Sequence, residues 1–204
     1  MTTLYFSPAA CSLSPHIALK EAGLTFSAEQ VDLKSKQLKS GGDFLKINPK
    51  GQVPSLKLPN GEILTEGPAI VQRIADQAPQ SKLAPANGTM ARYPLQEWLN
   101  FISTEIHKGF SPLFNPATPD AFKAVVKENL GKKFAVLNAH FGQNKFLMGD
   151  DFSVADGYCF TCVNWANFTG IDLSAYPNLQ AFMARVGARP KVQEAMLAEG
   201  LIKA

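Results

Sequence analysis

Cys11 is the residue best placed to do chemistry. It follows a short apolar run, Leu4-Tyr5-Phe6, stopped by Ser7-Pro8. It precedes Ser14-Pro15, a helix start with Ser as N-cap and Pro in the first turn. A thiol between a strand and a helix start meets unpaired backbone N–H groups and the positive end of the helix dipole. Both lower a thiol pKa, so the position predicts a reactive thiolate rather than a small buried hydrophobe. The neighbouring Ser12 hydroxyl is a second possible donor, or a local turn former.

A second group of polar side chains comes from periodicity. Residues 89–110 read as one helix. At about 100° per residue, Leu95, Trp98, Leu99, Ile102 and Ile106 form a core stripe. Asn100, Ser103, Thr104 and His107 fall on a roughly opposite arc, with Lys108 at its rim. Short polar groups around one histidine are not the usual Lys/Glu solvated face; they suit the wall of a cleft. Glu66-Gly67-Pro68 opens another helix, where an acid favours the dipole and free N–H groups can hold an anion.

Other patterns resolve into structure. Ser153-Val154-Ala155-Asp156 reads as a capping box, with Phe152 as a hydrophobic staple. Cys159-Phe160-Thr161-Cys162 begins three residues after that box, hence inside a helix. Without a second cysteine pair or a spaced histidine pair, it reads as two buried thiols and not a zinc or redox site. No metal site is expected. His16 and His140 read as structural. No G-x-G-x-x-G, phosphate loop or H-E-x-x-H occurs.

The elements that must carry these residues divide the chain. Residues 1–80 read as mixed α/β in the order β-α-β-α-β-β-α: strand at Leu4–Phe6, helix from Ser14 to a stop at Gly23, strand from Phe26 to Leu33, short helix from Leu38 to Ile47, a hairpin around Pro59-Asn60-Gly61, and a helix from Glu66 to Asp76. Residues 78–88 hold two prolines and a glycine and read as a linker. Residues 81–204 read as an all-helical bundle, with helices near 89–110, 121–141, 153–166, 176–187 and 190–198.

Composition removes whole classes of function. The chain has 204 residues, 46% hydrophobic and 18% charged, enough to bury a core and too apolar for disorder. Eight basic face seven acidic residues up to Gln80, and twelve face ten after it, which argues against a nucleic-acid arm. No apolar run approaches the ~20 residues of a membrane span. The first basic residue is Lys20, and Pro8 and Pro15 interrupt the N-terminus, so no secretory signal is read and a cytoplasmic location is expected. Three cysteines are too few for a disulfide scaffold.

Five segments in order resemble the bacterial beta-class glutathione S-transferases: Ser7–His16, Asn48–Pro54, Leu64–Ile70, Glu97–Phe101 with Glu105–Lys108, and Phe152–Asp156. The resemblance implies a thioredoxin-like N-terminal domain, a helical domain and a homodimer. It implies glutathione as co-substrate, and a small hydrophobic electrophile or disulfide as partner, with no metal, nucleic acid or membrane. Carried over, Cys11 faces the glutathione sulfur and can form a mixed disulfide with it. Lys36 meets the glycyl carboxylate, although it reads equally as a solvated loop charge. Val53, before a proline that is cis in this fold, pairs its backbone with the cysteinyl unit; by itself Pro54 reads as an ordinary trans proline at a strand start. Glu66 and Gly67 hold the γ-glutamyl end; many relatives place serine where Gly67 stands. Asn100, Ser103, Thr104, Glu105, Ile106 and His107 complete the glutathione site, His107 donating to the thiolate or polarising the second substrate. Phe110, Phe114 and Trp165 are assigned to the second-substrate pocket. Ser153 and Asp156, like Pro54, are assigned to structure. The rival readings are a specialised glutathione-dependent isomerase or dehalogenase and a non-catalytic transferase-like binding protein.

Overall fold

The computed structural model describes residues 1–203. The first apolar run extends into β1 (Thr2–Phe6), at the centre of a five-stranded sheet of order β3-β2-β1-β4-β5. β2 (Phe26–Asp32) lies parallel to it, with Thr2 opposite Phe26. β4 (Ser55–Lys57) runs antiparallel on the other side and pairs with β5 (Ile63–Thr65). Alternation along β1 feeds two cores. Leu4 and Phe6 face helices α1 (Leu13–Glu21) and α2 (Gly67–Gln77), while Tyr5 joins Val31, Phe44 and Val53 on the opposite face.

The helix expected over Leu38–Ile47 does not form. Gln37–Leu38 is instead a two-residue strand, β3, on the edge of β2, and Phe44–Lys46 is a single 3-10 turn. Gly41 and Gly42, at φ 96° and 112°, turn the chain between them. Leu38 and Phe44 are thereby both delivered to the smaller core.

Behind the linker, Arg92 is buried and ties three segments together. Its guanidinium donates to Asp76 Oδ1 at 2.9 Å, Gln72 Oε1 at 3.1 Å and the Pro85 carbonyl at 2.6 Å. The single helix read over 89–110 is three: α3 (Arg92–Phe101), a π-helical segment (Ile102–His107) and α4 (Lys108–Phe114). α5 (Asp120–Phe141) crosses α4 closely at Gly109, where a Cβ would stand 2.9 Å from Leu130 Cδ2. The helix read over 153–166 ends earlier, as α6 (Val154–Val163), followed by the one-turn α7 (Ala166–Thr169). α8 (Pro177–Gly187) and α9 (Pro190–Ala198) close the chain.

α6 is buried on every side, and α1 packs against α6, α9 and α2. The two halves share one continuous main core. Arg189 at the start of α9 forks onto Glu21 of α1 at 2.7 and 2.9 Å. Among the described residues, no helix is long and apolar enough to cross a membrane.

The capping box is present. Asp156 Oδ2 accepts from the Ser153 N–H at 2.8 Å and its hydroxyl at 2.7 Å, while Oδ1 accepts from the Leu147 N–H at 2.7 Å. Burial pushes the Asp156 carboxyl up to about 6, against the pull of these donors. The staple is absent, because the position facing Phe152 is Gly157. Phe152 packs edge-on against Phe146 instead, beneath the Arg189 guanidinium. Asp156→Ala strands two buried N–H groups and should cost about 3 kcal/mol in urea unfolding; a loss under about 0.5 kcal/mol would show the box to be dispensable.

Candidate functional site

Two adjoining hollows meet at Cys11 and His107. One, about 360 Å³, is polar and is walled by Lys36, Lys50, Val53, Glu66, Gly67 and Ser103. The other, about 400 Å³, is apolar and is walled by Pro8, Ala9, Leu33, Phe114, Trp165 and Phe168. Leu33, Phe168 and Lys50 had no chemical signal in the sequence; each belongs to the cleft only through the fold. Among the described residues, no group of three or more His, Cys, Asp or Glu side chains is placed to hold a metal ion.

Cys11 lies in the turn before α1, and its thiol donates to the Val53 carbonyl at 3.2 Å. Burial pushes its pKa up to about 12, the carboxylates of Glu66 and Glu199 push the same way, and the N–H groups of Cys11 and Ser12 oppose them only in part. The expected lowering is therefore overturned: desolvation outweighs the helix-start field. Ser12, not Ser14, occupies the N-cap of α1. The Ser12 hydroxyl is closed onto Ser7, accepting from its N–H at 3.1 Å and donating to its carbonyl at 3.2 Å, so it offers nothing to Cys11. The Ser14 hydroxyl is buried without a partner.

The turn carrying Cys11 is clamped from the far end of the chain. Ala9 has φ 62°, a left-handed conformation that alanine rarely adopts. Its N–H donates to Glu199 Oε2 at 3.3 Å, and its carbonyl accepts from Trp165 Nε1 at 2.8 Å. The other Glu199 oxygen lies 2.9 Å from His16 Nδ1, both side chains almost fully buried. His16 is thus structural as expected, but in service of the Cys11 turn. Burial raises the Glu199 pKa, with His16 opposing.

The Val53-Pro54 bond is cis. The Val53 carbonyl is not free, since it accepts from Cys11. Glu66 is the N-cap of α2 at φ 71°, makes no cap bond, and turns its carboxylate to Lys50 Nζ at 2.8 Å. Lys50 also donates to Thr65 Oγ1 at 3.0 Å. Both partners are more than half exposed, so the pair exchanges readily. Lys36, at φ 59°, donates its amine to the Gly51 carbonyl at 2.8 Å.

Of the polar arc, only Ser103 and His107 enter the polar hollow, joined by Lys108 and Ser111. Hydrogen bonds from i to i+5 in the π-helical segment bring residues four apart nearly into line, which rotates the rest away from the 100° wheel. Asn100 is exposed outside both hollows. Thr104 and Glu105 open onto a separate groove against α5, where Glu105 pairs with Lys133. Ile106 is fully buried in the core. Phe110 is fully buried as well, behind the pocket wall, its ring 5.7 Å from that of Trp165.

His107 Nδ1 lies 2.6 Å from the Tyr158 hydroxyl, a partner that the sequence did not signal. Burial pushes the His107 pKa down to about 4; Lys108 adds to this and Glu66 opposes it. The imidazole is therefore neutral near pH 7. Cys159 and Cys162 are fully buried within α6 and their pKa values are raised well above the ordinary by burial. His140 donates its Nε2–H to the Phe146 carbonyl at 3.2 Å and packs on Trp98.

A thiol titrating at about 12 leaves roughly one molecule in ten thousand as thiolate at pH 8. Iodoacetamide should therefore label Cys11 of the ligand-free protein at least about a hundredfold more slowly than free cysteine, read by mass spectrometry; equal rates would contradict the raised thiol pKa.

Comparison with known proteins assigns the family. Residues 9–77 match the glutathione S-transferase N-terminal domain family, and residues 101–190 match its C-terminal domain family. The chain is 44% identical to glutathione S-transferase GstA of Escherichia coli O157:H7, over 97% of this chain and 98% of the relative. Among solved structures, BphK, a bacterial glutathione S-transferase in a ternary complex, superposes with a TM-score of 0.95 at 56% identity, over 97% of this chain and 99% of that one. The bacterial beta-class enzyme of Sphingomonas chungbukensis superposes with a TM-score of 0.95 at 46% identity, over 98% of this chain and 100% of that one. The chain belongs to the glutathione S-transferase family.

Proposed function

We propose that this protein conjugates glutathione to apolar electrophiles across the junction of the two hollows. The observation that carries the reading is that a polar and an apolar hollow share Cys11 and His107. The polar hollow has the right groups for a peptide with charged ends. Lys36 suits the glycyl carboxylate, the Val53 backbone suits the cysteinyl unit, and the N–H groups of α2 at Gly67 suit the γ-glutamyl carboxylate. Glu66 suits the γ-glutamyl ammonium, which would replace Lys50 as its partner. The apolar hollow receives the electrophile against Phe114 and Trp165.

In this reading the glutathione sulfur lies between Cys11 and His107. The glutathione thiolate attacks an electrophilic carbon, the new C–S bond forms, and the leaving group departs with the electron pair. The Cys11 S–H, held protonated by burial, can turn from the Val53 carbonyl and donate to the thiolate. Thiol exchange is the second reading, favoured by a thiol rather than a hydroxyl at this position. There Cys11 loses its proton and attacks a glutathione disulfide, giving a Cys11–glutathione disulfide and releasing the other thiol. We further assign residues 1–80 to glutathione binding and 81–204 to the helical domain, and propose a cytoplasmic homodimer.

Intact-mass measurement after incubation with oxidised glutathione tests the exchange reading. A reductant-releasable glutathione adduct should appear on wild type and not on Cys11→Ala; an adduct surviving in that variant would place the reactive thiol elsewhere. For conjugation, Glu66→Ala should raise the glutathione KM at least tenfold with an aromatic electrophile, and an unchanged KM would remove Glu66 from the site.

A further inference from the structure

We propose that Tyr158 is a positioning residue that fixes the tautomer of His107, holding its single N–H at Nε2, where the two hollows meet. The proposal rests on the glutathione site described above but is carried by geometry in the free protein. Tyr158 sits on α6, 2% exposed, and its hydroxyl lies 2.6 Å from His107 Nδ1. The two rings meet edge-on, with centroids 5.8 Å apart at 79°. Trp165 closes the His107 ring from another side at 5.0 Å. A ring flip would break the hydrogen bond and disturb both aromatic contacts.

A neutral imidazole carries one N–H, and the partner of one ring nitrogen decides where it sits. Tyr158 has one proton to give, and its buried phenol does not ionise at neutral pH. Among the described residues the Tyr158 hydroxyl has no hydrogen-bond partner other than His107 Nδ1, so its buried proton is satisfied only by that nitrogen. Donation from Tyr158 to His107 Nδ1 satisfies the phenol proton. It leaves Nε2, which has no protein hydrogen-bond partner among the described residues, as an N–H donor. The reverse arrangement would have Nδ1–H donate to the phenol and leave Nε2 as a bare acceptor. The two arrangements differ in function: the first stabilises a thiolate, the second only takes a proton. Lys108, Glu66, Cys11 and Cys162 are the charged or titratable groups nearest this pair. None occupies Nδ1, so Tyr158 alone sets the choice.

The test is ¹⁵N NMR of the histidine-labelled, ligand-free protein at pH 7, with His107 assigned through His107→Gln. Wild type should show a pyrrole-type Nε2 and a pyridine-type Nδ1. Tyr158→Phe, which keeps the ring and removes the hydroxyl, should move both signals toward the averaged values of mixed tautomers. In the same variant the thiol of bound glutathione should titrate higher, followed by thiolate absorbance, with kcat down about tenfold at pH 6.5, recovery at higher pH, and glutathione KM within about twofold. A wild-type Nδ1–H tautomer, or unchanged signals in Tyr158→Phe, overturns the proposal. If Tyr158→Phe fails to fold, the wild-type spectrum decides. Glutathione failing to bind while the tautomer behaves as stated would instead overturn the glutathione reading.

Discussion

The site depends on one clamped peptide. Ala9 is held in a left-handed conformation that costs on the order of 1 kcal/mol, and the fold opposes relaxation at both of its polar atoms. Glu199, just past α9, takes the N–H, and Trp165, just past α6, supplies the donor for the carbonyl. The turn bearing Cys11 is therefore shaped by residues more than 150 positions away. His16 gives the buried Glu199 carboxylate a partner on α1, so the clamp also ties the first helix to the last. Neither half of the chain could place Cys11 alone.

Burial then decides the electrostatics. A sequence reading of Cys11 weighs the helix start and finds a thiolate; the folded site adds desolvation and two carboxylates, which reverse the sign. His107 is driven the opposite way by the same cause, because burial disfavours whichever form is charged. The free site thus holds a neutral thiol and a neutral imidazole side by side. In the proposed reading the charge at the sulfur enters with the ligand, and neutral donors rather than fixed ions meet it there. The exposed Lys50–Glu66 pair is the contrasting case: two solvated groups whose pairing is weak.

Much of the architecture was legible because it rests on local signals. Asn60-Gly61 marked the β4–β5 hairpin, Ser153 and Asp156 marked the start of α6, and the prolines at 177 and 190 sit at the starts of α8 and α9. The misplaced elements had weak local signals. Leu38 to Ile47 carries apolar residues without clear period, and packing of Leu38 and Phe44 beneath the sheet, not propensity, sets its path. The π-helical segment left no mark at all. A wheel drawn at 100° put Asn100 and Thr104 on the cleft wall and could not see the added residue per turn that turns them out.

The order of motifs in the sequence determined the family and the two-part architecture, and singled out the residues proposed for the site: Cys11, Val53-Pro54, Glu66-Gly67 and His107. These are short-range signals, each a few residues long, and their order survives without knowing what touches what. The tertiary structure alone decided the protonation of Cys11 and His107, the removal of Phe110 into the core, and the entry of Tyr158, Lys50 and Phe168. Desolvation and hydrogen bonding between distant segments are sums over neighbours in space, and a linear chain does not carry those neighbours until it has folded.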